Sequence, residues 1–193
     1  MSGFGWQRHL HNGASRSDGG SGEGAGQASR AGFEDLLAHN GAYAEDFRMA
    51  GFDGIARAGV AIVTCMDSRI EPLAMVGLTH GDAKIFRNPG GRVTDAALEA
   101  LVLGVHLLNV NRIMVVPHTR CAMTQMSENQ LRAKITEVSG QDAAWQHFHV
   151  VSDQRAALAE DVHRVTSHPL IGDRARVGGF LYDVDTGRLN HLV

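Results

Sequence analysis

Residues 59–69 read GVAIVTCMDSR. The first six, Gly59 to Thr64, form a short β-branched run with no polar alternation, the pattern of a strand covered on both faces. Cys65-Met66-Asp67-Ser68-Arg69 then falls just past that strand's carboxyl end, the edge of an open parallel sheet where ligands bind. Three reactive groups leave the strand there at alternate positions. Cys65 offers a thiolate, Asp67 a carboxylate, and Arg69 a rigid fork of donors able to hold that carboxylate with two hydrogen bonds.

A second apolar run, RIMVV at 112–116, reads as another buried strand and delivers Pro117-His118-Thr119-Arg120-Cys121 to the same edge. His118 and Cys121 are three apart, so a helical turn there aims both side chains at one point. Cys65 and Cys121 are the only cysteines in the 193 residues. Two thiolates and one imidazole supply three corners of a tetrahedral zinc shell and leave the fourth for water or substrate, the pattern of a catalytic metal. Zinc held there lowers the pKa of water from 15.7 toward ~7 and supplies hydroxide at neutral pH. The competing readings are two buried thiols acting as small hydrophobes near an unrelated histidine, and a disulfide, which a reducing compartment disfavours. For Asp67 and Arg69 the competing reading is a surface ion pair that contributes little.

Outward from these motifs the chain alternates helix and strand. Phe33 to Phe47 carries a helical apolar stripe broken at Asn40-Gly41. Ala83 to Phe86 reads as a strand and Arg87-Asn88-Pro89-Gly90-Gly91 as a turn whose glycines permit close backbone approach beside the metal. Thr94 suits the N-cap of a helix continued by Leu98, Leu101, Val102, Val105 and Leu108 at helical spacing. Cys121 is expected at or near the start of the next helix, where the positive dipole end favours a thiolate. Phe148 to Val151 reads as a fourth strand with His147 and His149 on one face, Gln154 to Val165 as a helix, and Gly179 to Val184 as a strand. Asp185-Thr186-Gly187 is turn chemistry, with Arg188 to Leu192 pairing back as a hairpin.

The length fits one domain over residues 31–193, and 44% hydrophobic residues suffice for a core. Residues 1–30 differ, holding eight glycines and five serines, and read as a flexible arm or leader. A net charge of -3 gives no electrostatic argument for nucleic acid or an anionic membrane as partner. No apolar run approaches the ~20 residues of a membrane helix, and no signal-peptide stretch opens the chain, so the expected location is cytoplasmic. No Walker loop, GxGxxG fingerprint or HExxH helix is present.

CMDSR followed some fifty residues later by HTRC resembles the β-class carbonic anhydrases, in their shorter bacterial branch. GDAKIFRNPGG at 81–91, VTDAALEAL after it, RIMVVPHTRCAM at 112–123 and the closing GGFLYDVDTGRL extend the likeness from about residue 33 to the end. The resemblance implies an α/β fold with a mostly parallel central sheet, four parallel strands plus an antiparallel edge strand, flanked by helices. It implies one Zn2+ per chain on Cys65, His118 and Cys121, with Asp67 and Arg69 as the catalytic pair and Gly90 and Gly91 beside the substrate pocket. If Arg69 releases Asp67, the carboxylate becomes a fourth zinc ligand and closes the site. The implied reaction is hydration of carbon dioxide to bicarbonate by zinc-bound hydroxide, in a homodimer or higher oligomer packed through the helix at 33–47. Carbonyl sulfide or carbon disulfide hydrolysis, and a non-catalytic zinc-binding sensor or interaction module, stand as alternatives. Arg120, Ala122 and Pro89 depart from the branch's usual residues.

Overall fold

The computed structural model describes residues 32–193, so the arm expected over residues 1–30 lies outside the described residues. These fall into two units, the described part of residues 1–50 and residues 51–193.

The first unit holds helix α1, Glu34–Glu45. It runs unbroken through Asn40 and Gly41, correcting the expected interruption. A single Gly inside a helix costs only about 1 kcal/mol, and Ala38, Ala42 and Ala44 around it are good helix formers. The helix buries none of its residues.

The second unit is built on strands β1 (Val60–Cys65), β2 (Ala83–Asn88), β3 (Arg112–Val116), β4 (Arg176–Tyr182) and β5 (Leu189–His191). Its helices are α2 (Asp95–Leu107), α3 (Glu128–Ser139) and α4 (Gln154–Thr166). The sheet order is β2-β1-β3-β4-β5. β1 pairs in parallel with β2 and β3, β3 with β4, and β5 lies antiparallel on β4, which is the expected α/β arrangement. All six residues of β1 are buried.

Alternation along the strands divides the core. Ala61, Val63, Ile113 and Val115 face Ala97 and Leu101 of α2 and Leu158, Val162 and Val165 of α4. Val60, Ile62 and Val116 face the opposite way, against Met75, Val76, Leu78, Met114 and Phe180. Thr94 caps α2 as expected, accepting a hydrogen bond from Ala97 N–H.

Three local expectations are corrected. Residues 148–151 pair with no strand; Val151 N–H donates to Met123 O at 2.8 Å, and β4 occupies the place beside β3. His147 and His149 therefore share no strand face. β4 begins at Arg176, three residues before the expected Gly179. Cys121 does not open an α-helix: it precedes a single 3-10 turn over Ala122–Thr124, and α3 starts only after Ser127. Ser127 and Gln130 form a reciprocal capping box there, a stronger start signal than anything beside Cys121.

Candidate metal centre

Sheet order reverses between β1 and β3, the two strands that continue into the cysteine motifs. That reversal opens a crevice at the strands' carboxyl ends. Cys65 is the last residue of β1, while His118 and Cys121 follow β3. One sulfur or nitrogen atom from each of Cys65, His118 and Cys121 lies within 4.8 Å of the others, and all three residues are buried. The two Sγ atoms are 3.9 Å apart, and neither cysteine is in a disulfide.

This donor set fits a zinc ion on two grounds. Among the described residues, His118 Nδ1 and Nε2 are the buried side-chain polar atoms left without a hydrogen-bond partner. Such an orphaned pair is costly unless the ring has another partner. Two soft sulfurs beside an imidazole are a zinc donor set. The two thiols also influence each other's ionisation. Cys65 is pushed well below the usual thiol range, first by the Cys121 thiol, then by the adjacent His118 ring and by backbone N–H groups, including Gly90 N at 3.4 Å. Cys121 is pushed up by the same contact and by burial.

Asp67 is clasped by Arg69. Arg69 Nε donates to Oδ1 at 2.9 Å, its backbone N–H to Oδ1 at 3.0 Å, and Nη2 to Oδ2 at 2.7 Å. These donors, with the side-chain bonds foremost, hold the Asp67 carboxyl well below the usual carboxylate range. An ionised carboxylate has about four acceptor sites. Arg69 fills three and leaves one on Oδ2, the oxygen 3.7 Å from His118 Nε2. Asp67 is thus turned toward Arg69 and stands outside the Cys-His-Cys group.

The RNPGG segment wraps the base of this site. Arg87 Nε donates to Cys65 O at 2.9 Å and Nη2 to Asp67 O at 2.6 Å, fixing the backbone on both sides of Met66. Gly91 has φ +67, and a Cβ there would stand 2.9 Å from Cys65 N and 3.0 Å from Thr64 C. That is main chain, which cannot swing away. Gly91→Ala is expected to cost roughly 3 kcal/mol, combining left-handed strain with overpacking. Gly77, at φ +69 with nothing near its missing Cβ, supplies the control: Gly77→Ala should cost about 1 kcal/mol. Urea titration of both variants reads the difference, and equal losses would contradict the close approach.

Arg120 has a left-handed φ of 53° and its side chain pairs with Asp185 at the surface, away from the donor set. Its carbonyl accepts from Arg69 Nη2 at 3.3 Å. Sequence reading missed Arg87 as a backbone brace. It also missed Gln154, whose Nε2 donates to His118 O at 2.9 Å. Arg87 stood inside a quoted motif, whereas nothing local marks Gln154, which meets His118 only after folding.

Strand order, crevice and donor set define an α/β protein with a buried group of two thiols and an imidazole able to hold a metal ion. The carbonic anhydrase family profile matches residues 60–189. Beta-carbonic anhydrase 1 of Mycobacterium tuberculosis is 30% identical over 162 residues, covering 82% of this chain and 96% of that protein. Carbon disulfide hydrolase of an Acidianus species is 31% identical over 170 residues, covering 75% and 83% respectively. The crystal structure of carbonic anhydrase from Streptococcus mutans matches with a TM-score of 0.75 and 34% identity, over 83% of this chain and 97% of that one. The chain belongs to the β-carbonic anhydrase family.

Proposed function

We propose that this protein catalyses the reversible hydration of carbon dioxide to bicarbonate, with one zinc ion held by Cys65, His118 and Cys121. The observation that carries the reading is the partnerless, buried His118 ring beside two sulfurs, with a clasped carboxylate 3.7 Å from its Nε2. Zinc held there supplies a Lewis acid that makes water a nucleophile near neutral pH. Asp67 and Arg69 are the catalytic pair. The free acceptor site on Asp67 Oδ2 takes a hydrogen bond from the reacting water and turns its lone pair toward the carbon of carbon dioxide. Arg69 keeps that carboxylate ionised and fixed in direction, so little reorganisation is needed at the moment of attack. Released by Arg69, Asp67 would be able to serve as a further ligand to the metal and close the site. Gly90 and Gly91 form the substrate pocket's wall; Gly90 also borders a cavity of about 10 Å³ that reaches Cys121.

Hydrolysis of carbon disulfide is the second reading, supported by the similarity to the Acidianus hydrolase. The same nucleophile attacks the central carbon of either linear molecule. Initial rates on carbon dioxide, carbonyl sulfide and carbon disulfide with one zinc-assayed preparation separate the two. The expected result is a kcat/KM for carbon dioxide at least ~100-fold above the sulfur substrates, about 2.7 kcal/mol of discrimination. The reverse order would favour the hydrolase.

The protein acts as a homodimer or larger homo-oligomer in the cytoplasm. Support for assembly is the row of exposed apolar side chains Phe33, Leu36, Leu37, Tyr43 and Phe47 on and beside α1. A solution mass of at least twice 20.7 kDa is expected. Among the described residues no helix is long and apolar enough to cross a membrane.

A further inference from the structure

We propose that Arg92 and Asp161 are positioning residues for the metal centre, forming a strut through which helix α4 holds the Gly90 N–H on the Cys65 sulfur. The inference rests on the zinc reading above and adds two residues that touch neither metal nor substrate.

Asp161 stands out first by burial. Among the described residues, only Thr64, His118 and Asp161 are buried polar or charged side chains. Asp161 receives Arg92 Nε at 2.6 Å and Nη2 at 3.1 Å, a two-point fork, while Arg92 Nη2 also reaches the exposed Glu160 at 3.2 Å. A buried ion pair is weak evidence for stability alone, since packed apolar residues often serve as well. What apolar packing lacks is direction, and the fork supplies it.

Arg92 follows a turn that needs holding. Gly90 and Gly91 both have positive φ, at 83° and 67°, and glycine has no side chain to anchor. One end of the turn is bracketed by Asn88: its Nδ2 donates to Arg92 O at 2.7 Å, and its Oδ1 accepts from Arg92 N at 2.9 Å. The Arg92 fork ties that bracket to α4. Between the ends, Gly90 N–H donates to Cys65 Sγ at 3.4 Å.

α4 grips the other half of the site as well. Gln154, seven residues before Asp161 and so two turns away on the same helix face, donates to His118 O at 2.9 Å. One rigid helix thus references both the ligand at the end of β1 and the ligand after β3. A cavity of about 10 Å³ beside α4 is lined by Gly90, Arg92, Cys121, Gln154 and Asp161, room for about one water and little slack. An N–H donated to a thiolate draws charge from the sulfur, which matters where two thiolates already weaken the metal's acidity.

The test uses cobalt(II) in place of zinc, because its thiolate charge-transfer absorption reports charge on sulfur without any turnover. A single substitution leaves a buried charge unpaired, so the main variant is Arg92→Met with Asp161→Leu. Arg92→Lys, which keeps the cation and breaks the fork, is the second variant. Expected are a charge-transfer band moved to lower energy and cobalt affinity weakened roughly tenfold or more, with smaller changes in the same direction for Arg92→Lys. Glu160→Gln should leave both unchanged. Either Arg92 variant folded, with wild-type band position and affinity, would overturn the strut. A wild-type protein with no thiolate-to-cobalt band would overturn the zinc reading, and the strut with it.

Discussion

Alanine in place of Cys65, His118 or Cys121 is expected to abolish stoichiometric zinc binding and to lower carbon dioxide hydration at least about a thousandfold. A metal Lewis acid contributes several kcal/mol to such a reaction, and each 1.36 kcal/mol is a factor of ten. The three substitutions should differ in their effect on the empty fold. His118→Ala removes two buried ring nitrogens that make no hydrogen bond, so the metal-free variant should melt no lower than metal-free wild type apart from a cavity term. Cys65→Ala loses the sulfur that accepts from Gly90 N–H, and should melt lower. Zinc held by a site that only the folded chain assembles is expected to raise the wild-type melting temperature by linkage. That rise should vanish in all three variants. A zinc-dependent rise surviving in His118→Ala would mean that the ring is not a ligand.

The second large effect is expected at Asp67 and Arg69, the proposed catalytic pair. Asp67→Ala is expected to retain one zinc per chain while losing roughly 100- to 10,000-fold in kcat, the range for a positioned group acting on a proton in flight. Arg69→Lys should lose a smaller factor, since an ammonium cannot reproduce the two-point fork. The sign of the pH dependence separates this pair from the metal. Asp67 is held below its ordinary pKa, so its contribution to stability is fully present above about pH 3.9 and is lost as pH falls through the lower folded-state value. Asp67 is therefore anionic across pH 6.5 to 9, and a rise in rate over that window reports another group. Breaking the pair should lower the amplitude of the pH profile without moving its midpoint. A midpoint moved by more than half a unit in Arg69→Lys would contradict that division of labour.

Much of this site was legible because its parts are local. The unbroken apolar runs before Cys65 and before His118 mark two buried strands, and strands ending in reactive residues leave few places for those residues to go. Thr94 before α2 gave its helix start in the same way. What was not legible depends on competition between distant segments. Residues 148–151 have strand composition, yet β4 takes the position beside β3 and leaves them without a strand partner, Val151 N–H donating instead to Met123 O. The turn after Cys121 stays short because the Ser127 and Gln130 capping box starts α3 later. Asn40-Gly41 looked like a break, and one glycine proved too weak to end α1. Arg92, Gln154 and Asp161 carry no local signature, since their partners, Asp161 for Arg92 and His118 O for Gln154, meet them only once α4 has packed on the sheet.

The central claim is that a zinc ion on Cys65, His118 and Cys121, assisted by Asp67, hydrates carbon dioxide. Stopped-flow hydration from pH 6.5 to 9 on protein of assayed zinc content tests it most directly. The account predicts about one zinc per chain, activity rising with pH across that window, and loss of the activity in Asp67→Ala with zinc retained. Stoichiometric zinc with no hydration at any pH would contradict it.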